Sequence, residues 1–251
     1  MNIWSKNLLM SNPSVKYTLT VTTNPVEATC TLTADGVSSV TKTLTVDSGS
    51  IISYSVYHER YGTTTGSITM NADKTLSCTG TYDETEIEQA WSNPTMTSNQ
   101  TPGGSVFAAF ADSTYSTRYP HLVFDGQTGT GHGWQSNTTL PHYLGFYNPE
   151  PIKVTDITFD WYRGTAQAYS PKSGQLEASN DGSSYVTLQT FSYASNPDST
   201  TFSNPTNNYY KYYRLYGTDG GRSGYYSCEE CAVSGYIKIS SYTYYWQTTI
   251  L

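Results

Sequence analysis

Between Tyr17 and Tyr82, apolar side chains recur at every second position in short runs: Ala28, Cys30 and Leu32; Leu44 and Val46; Ile52, Tyr54 and Val56; Ile68 and Met70; Leu76 and Cys78. Residues two apart share one face of a strand but fall on different sides of a helix, so the pattern dictates half-buried β-strands. Asn24-Pro25, Ala34-Asp35-Gly36, Asp47-Ser48-Gly49, Tyr61-Gly62 and Asn71-Ala72-Asp73 interrupt the runs, close to the ~8–12-residue turn spacing of a sandwich. Six or seven short strands are expected over 15–83. The rest of the chain has the same bias, with 24 Tyr, 20 Gly and only 13% charged residues, which leaves too few helix formers for a bundle or coiled coil. The fold class is therefore all-β.

A length of 251 residues accommodates two domains at a prior of ~150 residues each. The acidic run Asp83-Glu-Thr-Glu-Ile-Glu-Gln89 reads as a polar linker over 84–90. A second domain then spans 91–239, flanked by an apolar arm at 1–14 and an aromatic tail at 240–251. Both ends carry large apolar side chains, among them Trp4, Leu8, Tyr244 and Trp246, and are expected to dock onto a larger assembly.

The charge balance, 13 Lys+Arg against 20 Asp+Glu for a net −7 with no basic block, argues against a nucleic-acid partner. No apolar run reaches the ~20 residues of a membrane span, and the first ten residues lack the h-region of a secretory signal. Four cysteines are too few for a disulfide scaffold. Cys30 and Cys78 share inward parity and read as small core residues, with a disulfide between them left open. Cys228-Glu-Glu-Cys231 has the spacing of half a zinc knuckle, but the domain has no second pair, so two free thiols at a strand end are favoured; His132 and His142 are the remaining zinc-type ligands. No nucleophile elbow, His-Glu-x-x-His or phosphate-binding loop occurs, so the chain reads as non-enzymatic.

Residues 15–83 are weakly similar to PEGA-type and bacterial immunoglobulin-like modules, through Tyr17-Thr-Leu-Thr-Val21, Asn24-Pro25-Val-Glu-Ala28 and Ile52-Ser-Tyr-Ser-Val56 before Tyr61-Gly62. The second half offers more. In order it carries Phe124-Asp125-Gly126, Gly133-Trp134-Gln-Ser136, Pro141-His-Tyr-Leu144, Ile152-Lys-Val-Thr-Asp-Ile-Thr-Phe159, Leu176-Glu-Ala-Ser-Asn-Asp-Gly182, Tyr210-Lys-Tyr-Tyr-Arg-Leu215 and Cys228-Glu-Glu-Cys-Ala-Val-Ser-Gly235. This series resembles the discoidin-like (coagulation-factor type C) family, a galactose-binding-like jelly roll shared with many carbohydrate-binding modules. The residues also predict local structure. Asn180-Asp181-Gly182 suits a hairpin turn between 176–178 and 186–188. Ile152 and Val154 share one parity while Ile157, Phe159 and Trp161 share the other, which predicts a bulge near Thr155-Asp156. Tyr213 and Leu215 point inward and Arg214 outward.

The resemblance implies a structural calcium between Asp125 and Glu230, with the glycine-rich run after Asp125 supplying carbonyls. Where the family tends to place a Thr ligand before the tryptophan, this chain has His132-Gly133. Sugar recognition needs an aromatic face for the C–H side of the ring and planar donors for its hydroxyls. Tyr119, Trp161, Arg163, Arg222 and Tyr225, where arginines neighbour aromatics in expected loops, are the candidate ligand-binding residues. A cell-surface glycan is the expected partner. The module pairing points to a bacteriophage virion protein, in capsid decoration, a head fibre or a tail, whose N-terminal arm contacts capsid or tail proteins. The alternatives are an exported cell-surface adhesin or accessory module of a carbohydrate-active enzyme, and a purely structural virion spacer. Oligomeric assembly is compatible with each.

Overall fold

The structure, a computed structural model, describes residues 14–129, 132–137, 139–163 and 169–251; the expected docking arm lies almost wholly outside them. The chain divides into two compact units, one of residues 1–85 with 240–251 and the other of residues 86–239.

In the first unit the strands are β1 (Lys16–Asn24), β2 (Thr29–Ala34), β3 (Val37–Val40), β4 (Thr43–Asp47), β5 (Ile51–His58), β6 (Gly62–Thr69) and the start of β7 (Lys74–Ser92). One sheet runs β4-β1-β7, with β1 and β7 parallel; the other runs β3-β2-β5-β6, antiparallel throughout. The alternating residues form a shared core: Leu19, Val21, Ala28, Cys30, Leu32, Val46, Ile52, Val56, Ile68, Met70, Leu76 and Cys78 are all buried. Cys30 and Cys78 are free thiols. Burial pushes both up, Cys78 to about 11 with Cys30 contributing, so they are inert core residues.

Two expectations about chain organisation need correcting. The run at 84–90 is not a linker; it lies within β7. Glu84, Glu86 and Glu88 alternate onto one face, and each finds donors there. Glu84 accepts from Ser240 and Tyr242, Glu86 from Lys238, and Glu88 from Lys153 and Tyr209. Acids that pair at period two behave as strand residues, whatever their hydropathy. The tail is not a free docking segment either. Leu251 exchanges backbone hydrogen bonds with Thr75 at 2.8 and 2.9 Å, Trp246 donates to the Gly62 carbonyl and packs on the first unit's core, and Tyr61 lies 5.4 Å from the Trp246 ring.

The second unit holds β8 (Ala108–Ala111), a 3-10 turn (Pro120–Phe124), β9 (Trp134–Gln135), β10 (His142–Trp161), β11 (Pro171–Ser179), β12 (Val186–Ser192), β13 (Ser199–Ser203), β14 (Tyr210–Gly220) and the start of β15 (Ser227–Ile250), whose end from Ser240 belongs to the first unit. Strand β10 organises it. Its first half, His142–Tyr147, pairs with β8 and β14; beyond Asn148-Pro149-Glu150-Pro151 its second half pairs with β13 and β15. The predicted bulge is present: Val154 pairs with Gly235 and Asp156 with Ser234, so Thr155 is the extra residue. The shift turns Ile157, Phe159 and Trp161 inward alongside Ile152 and Val154, and all five are buried. The expected β11–β12 hairpin also forms, with Ala178 opposite Val186 and a register shift between Leu176 and Glu177. Its turn is held by the Asp181 carboxylate, which accepts from the Ser183 and Ser184 amides and sits well below the usual carboxylate range for that reason.

The second unit has its own core, so residues 86–239 expressed alone should give one cooperative calorimetric transition. A non-cooperative melt of that fragment would show that the unit needs the rest of the chain.

Candidate functional site

Arg222 and Tyr225 close a two-residue hairpin, exchanging backbone hydrogen bonds at 3.2 and 3.1 Å across Ser223 (φ 54°) and Gly224 (φ 80°). Two successive positive φ values make this a type I′ turn. A serine at the first of them carries strain that glycine would not. The turn presents both side chains to neighbouring loops. The Arg222 guanidinium carbon lies 5.6 Å from the centroid of the Tyr169 ring, and Tyr169 packs on Tyr162 at 5.5 Å. Tyr225 meets Tyr115 edge to face at 5.8 Å. Tyr169 is thus the ring that meets the exposed Arg222, with Tyr162 packed on Tyr169, and Tyr225, across the turn from Arg222, packed on Tyr115. Tyrosine rings beside a planar guanidinium are the residue types that suit a pyranose.

The side chains of the other expected ligand-binding residues are engaged otherwise. Trp161 is a core residue, not a ligand contact: it is 3% exposed, stacks on Phe159 at 5.9 Å and donates from Nε1 to the Thr200 hydroxyl. Its parity with Ile157 and Phe159 carries it inward. Arg163 pairs with Asp198 at 2.7 Å, with both side chains more than half exposed, a contact of little energetic weight. Tyr119 stacks on His121, which in turn bonds Asn99. Tyr115, Tyr162 and Tyr169 were not among the expected residues, although Tyr162 stands between the expected Trp161 and Arg163.

Asp125 and Glu230 do come together. The Asp125 side chain is nearly buried, accepts the Gln127 amide on Oδ1 and places Oδ2 3.6 Å from His132 Nδ1. Glu230 Oε2 is buried and unpartnered among the described residues. Burial first, then the charges of Asp125 and Asp160, raise the Glu230 carboxyl to about 7, opposed by a hydrogen bond from the Gly126 amide. Asp160 stands directly opposite Glu230 in the β10–β15 ladder, an unfavourable placement for two like charges. An orphaned carboxylate oxygen beside a second carboxylate is a donor set that fits a hard cation. Among the described residues no three His, Cys, Asp or Glu side chains group as metal ligands, so the remaining oxygens would come from main-chain carbonyls.

Cys228 and Cys231 are fully buried free thiols inside the core, opposite Trp161 and Phe159, and burial raises both well above the usual thiol range. His142 is buried too, held between the Asp112 carboxylate at 2.7 Å and the Gly224 carbonyl at 3.2 Å, and serves packing.

Comparison with known proteins bears on this unit. No curated protein matches the chain. Among solved structures, a carbohydrate-binding module from Clostridium perfringens in complex with GalNAc-β-1,3-galactose is 16% identical, with a TM-score of 0.44 over 51% of this chain and 94% of that one. A chitosan-binding module of a chitosanase/glucanase from Paenibacillus sp. IK-5 is 22% identical, with a TM-score of 0.45 over 52% and 97%. A family 32 carbohydrate-binding module from Clostridium perfringens, in complex with galactose, is 17% identical, with a TM-score of 0.44 over 51% and 93%. Residues 108–231 match the F5/8 type C domain family, a span that runs from β8 through Asp125, the Arg222–Tyr225 turn and Glu230, and the second unit of this all-β chain is accordingly a discoidin-like, F5/8 type C domain.

Proposed function

We propose that the chain is a non-enzymatic glycan-binding protein whose discoidin-like unit acts as a cell-surface adhesin or as the accessory module of a carbohydrate-active enzyme, working outside the cell. The observation that carries the reading is the clustering of Arg222 with Tyr115, Tyr169 and Tyr225 on three adjoining loops of that unit. Stacking and hydrogen bonding do the work there, so a net charge of −7 disfavours polyanions but leaves neutral or weakly acidic sugars unaffected. The virion role rests on the module pairing alone, because the C-terminal tail that was expected to dock is a strand of the first unit. A calcium ion held by Asp125 and Glu230 belongs to the same proposal; it would neutralise their charge and fix the loop that follows Asp125.

A small polar ligand buries little apolar area while water competes for each hydroxyl, so single-site binding is weak. Display in several copies raises avidity by about 10²–10⁴. The test is a glycan array probed with a multimerised form of the chain. Signal on neutral host-type glycans is expected, reduced at least tenfold by Arg222→Ala with Tyr225→Ala. An empty array, or a signal indifferent to that double substitution, would sink the loop site.

A further inference from the structure

The solvent-side face of the β10–β14–β11 sheet is not the plain wet surface that Arg214's outward parity suggests. Phe110, Tyr143, Tyr185, Tyr212 and Gly182 surround Arg214 and enclose a pocket of about 210 Å³. The Arg214 side chain is only 20% exposed, and its Nε donates at 2.6 Å to Glu177, itself almost fully buried. Tyr185 covers the guanidinium at 3.7 Å from its ring centroid, and Tyr143 lies at 5.0 Å.

A guanidinium carries five N–H donors, and here one is used. The Nη groups have no acceptor among the described residues. They are not sealed in either, because Glu230 Oε2 is the only buried unpartnered side-chain atom among the described residues. The faces of the cation are therefore covered by tyrosine while its donor edge opens onto the pocket. Glu177 cancels the arginine's charge, which removes the incentive for an anion. What remains is an aromatic-walled recess with fixed donors, smaller than the ~300–1,000 Å³ of drug-sized sites. Burial pushes the Tyr185 phenol up to about 12, so its hydroxyl keeps its proton at any working pH.

We propose that this pocket is a second carbohydrate subsite that takes a single neutral pyranose ring, its C–H face against the tyrosines and its oxygens on the Nη edge of Arg214. The subsite shares none of its residues with the Arg222–Tyr225 loop cluster, and neither reading depends on the other.

The test titrates the isotope-labelled full chain with the methyl glycosides of galactose, glucose, mannose, fucose and N-acetylglucosamine, followed by NMR. At least one glycoside should shift the Arg214 Nε–Hε signal and the amides of Tyr143, Gly182 and Tyr185 along a single saturable curve. Tyr185→Ala should weaken that curve at least tenfold. Arg214→Lys, which keeps the charge opposite Glu177 but loses the planar donor edge, should do the same and guards against a folding defect in the first variant. If no glycoside moves these signals, or if both variants bind as wild type does, the subsite is overturned. The amides of Arg222 and Tyr225 are read in the same spectra. Shifts confined to them would overturn the subsite and leave the loop site standing, whereas shifts confined to the Arg214 pocket would support the subsite and count against the loop site.

Discussion

Saturating calcium should raise the melting temperature of the discoidin-like unit by about 5–10 °C over the same protein in chelator, and Glu230→Gln should abolish the difference. The size follows from mass action: free ion at a hundredfold its dissociation constant adds about 2.7 kcal/mol, and each kcal/mol moves the midpoint of a domain of this size by about 2–4 °C. The specificity follows from the geometry. Glu230 Oε2 is the buried oxygen without a partner, and the charges nearest it are Asp125 and Asp160. Asp125→Asn should also remove the response while keeping the Oδ1 contact to the Gln127 amide. A wild-type melt that is identical in calcium and in chelator leaves Asp125 as a turn residue and nothing more.

The same carboxyl sets a pH dependence in chelator. Its value in the folded chain is raised from 4.5 to about 7, so between those limits the folded state holds a proton that the unfolded state has released. Stability linked to that proton is fully present below about 4.5 and is lost as pH rises through about 7. Calcium takes the proton's place, so the calcium response should be larger at pH 8 than at pH 5. Glu230→Gln, neutral throughout, should flatten this part of the profile and melt above wild type in chelator at pH 8.

What could be read from the sequence was what a strand's period of two encodes. The parity switch between Val154 and Ile157 located the bulge at Thr155, and the alternation in the first unit named its core residues, because both are local consequences of one chain segment facing one side. The misreadings arose where a partner from distant sequence decides the outcome. Glu84, Glu86 and Glu88 look like solvated linker until Ser240, Lys238 and Lys153 stand beside them. The tail looks unattached until Trp246 meets Gly62. In the candidate sites, Asp125 and Glu230 were reachable because a family resemblance linked positions far apart in sequence. The Arg214 pocket was not, since its walls come from Phe110, Tyr143, Tyr185 and Tyr212, and no local pattern announces that four separate segments share one face.

Trp161 separates the two kinds of reading most sharply, because a ligand contact and a core residue respond to truncation in opposite ways. Trp161→Ala should cost the second unit about 3–5 kcal/mol of unfolding free energy, against a typical domain total of about 5–15 kcal/mol. The ring is 3% exposed, stacks on Phe159 and meets Tyr226 edge on, so its removal leaves a cavity that those neighbours only partly fill. It also strips the Thr200 hydroxyl, fully buried, of its indole donor. Trp161→Phe keeps most of the volume and loses only that hydrogen bond, so its cost should be closer to the 1–3 kcal/mol of an unsatisfied buried group. Urea denaturation of both variants checks the order. Should Trp161→Ala melt like wild type yet lose glycan binding, the ring would be a surface contact after all, and the inward turn that the Thr155 bulge gives the second half of β10 would be wrong with it.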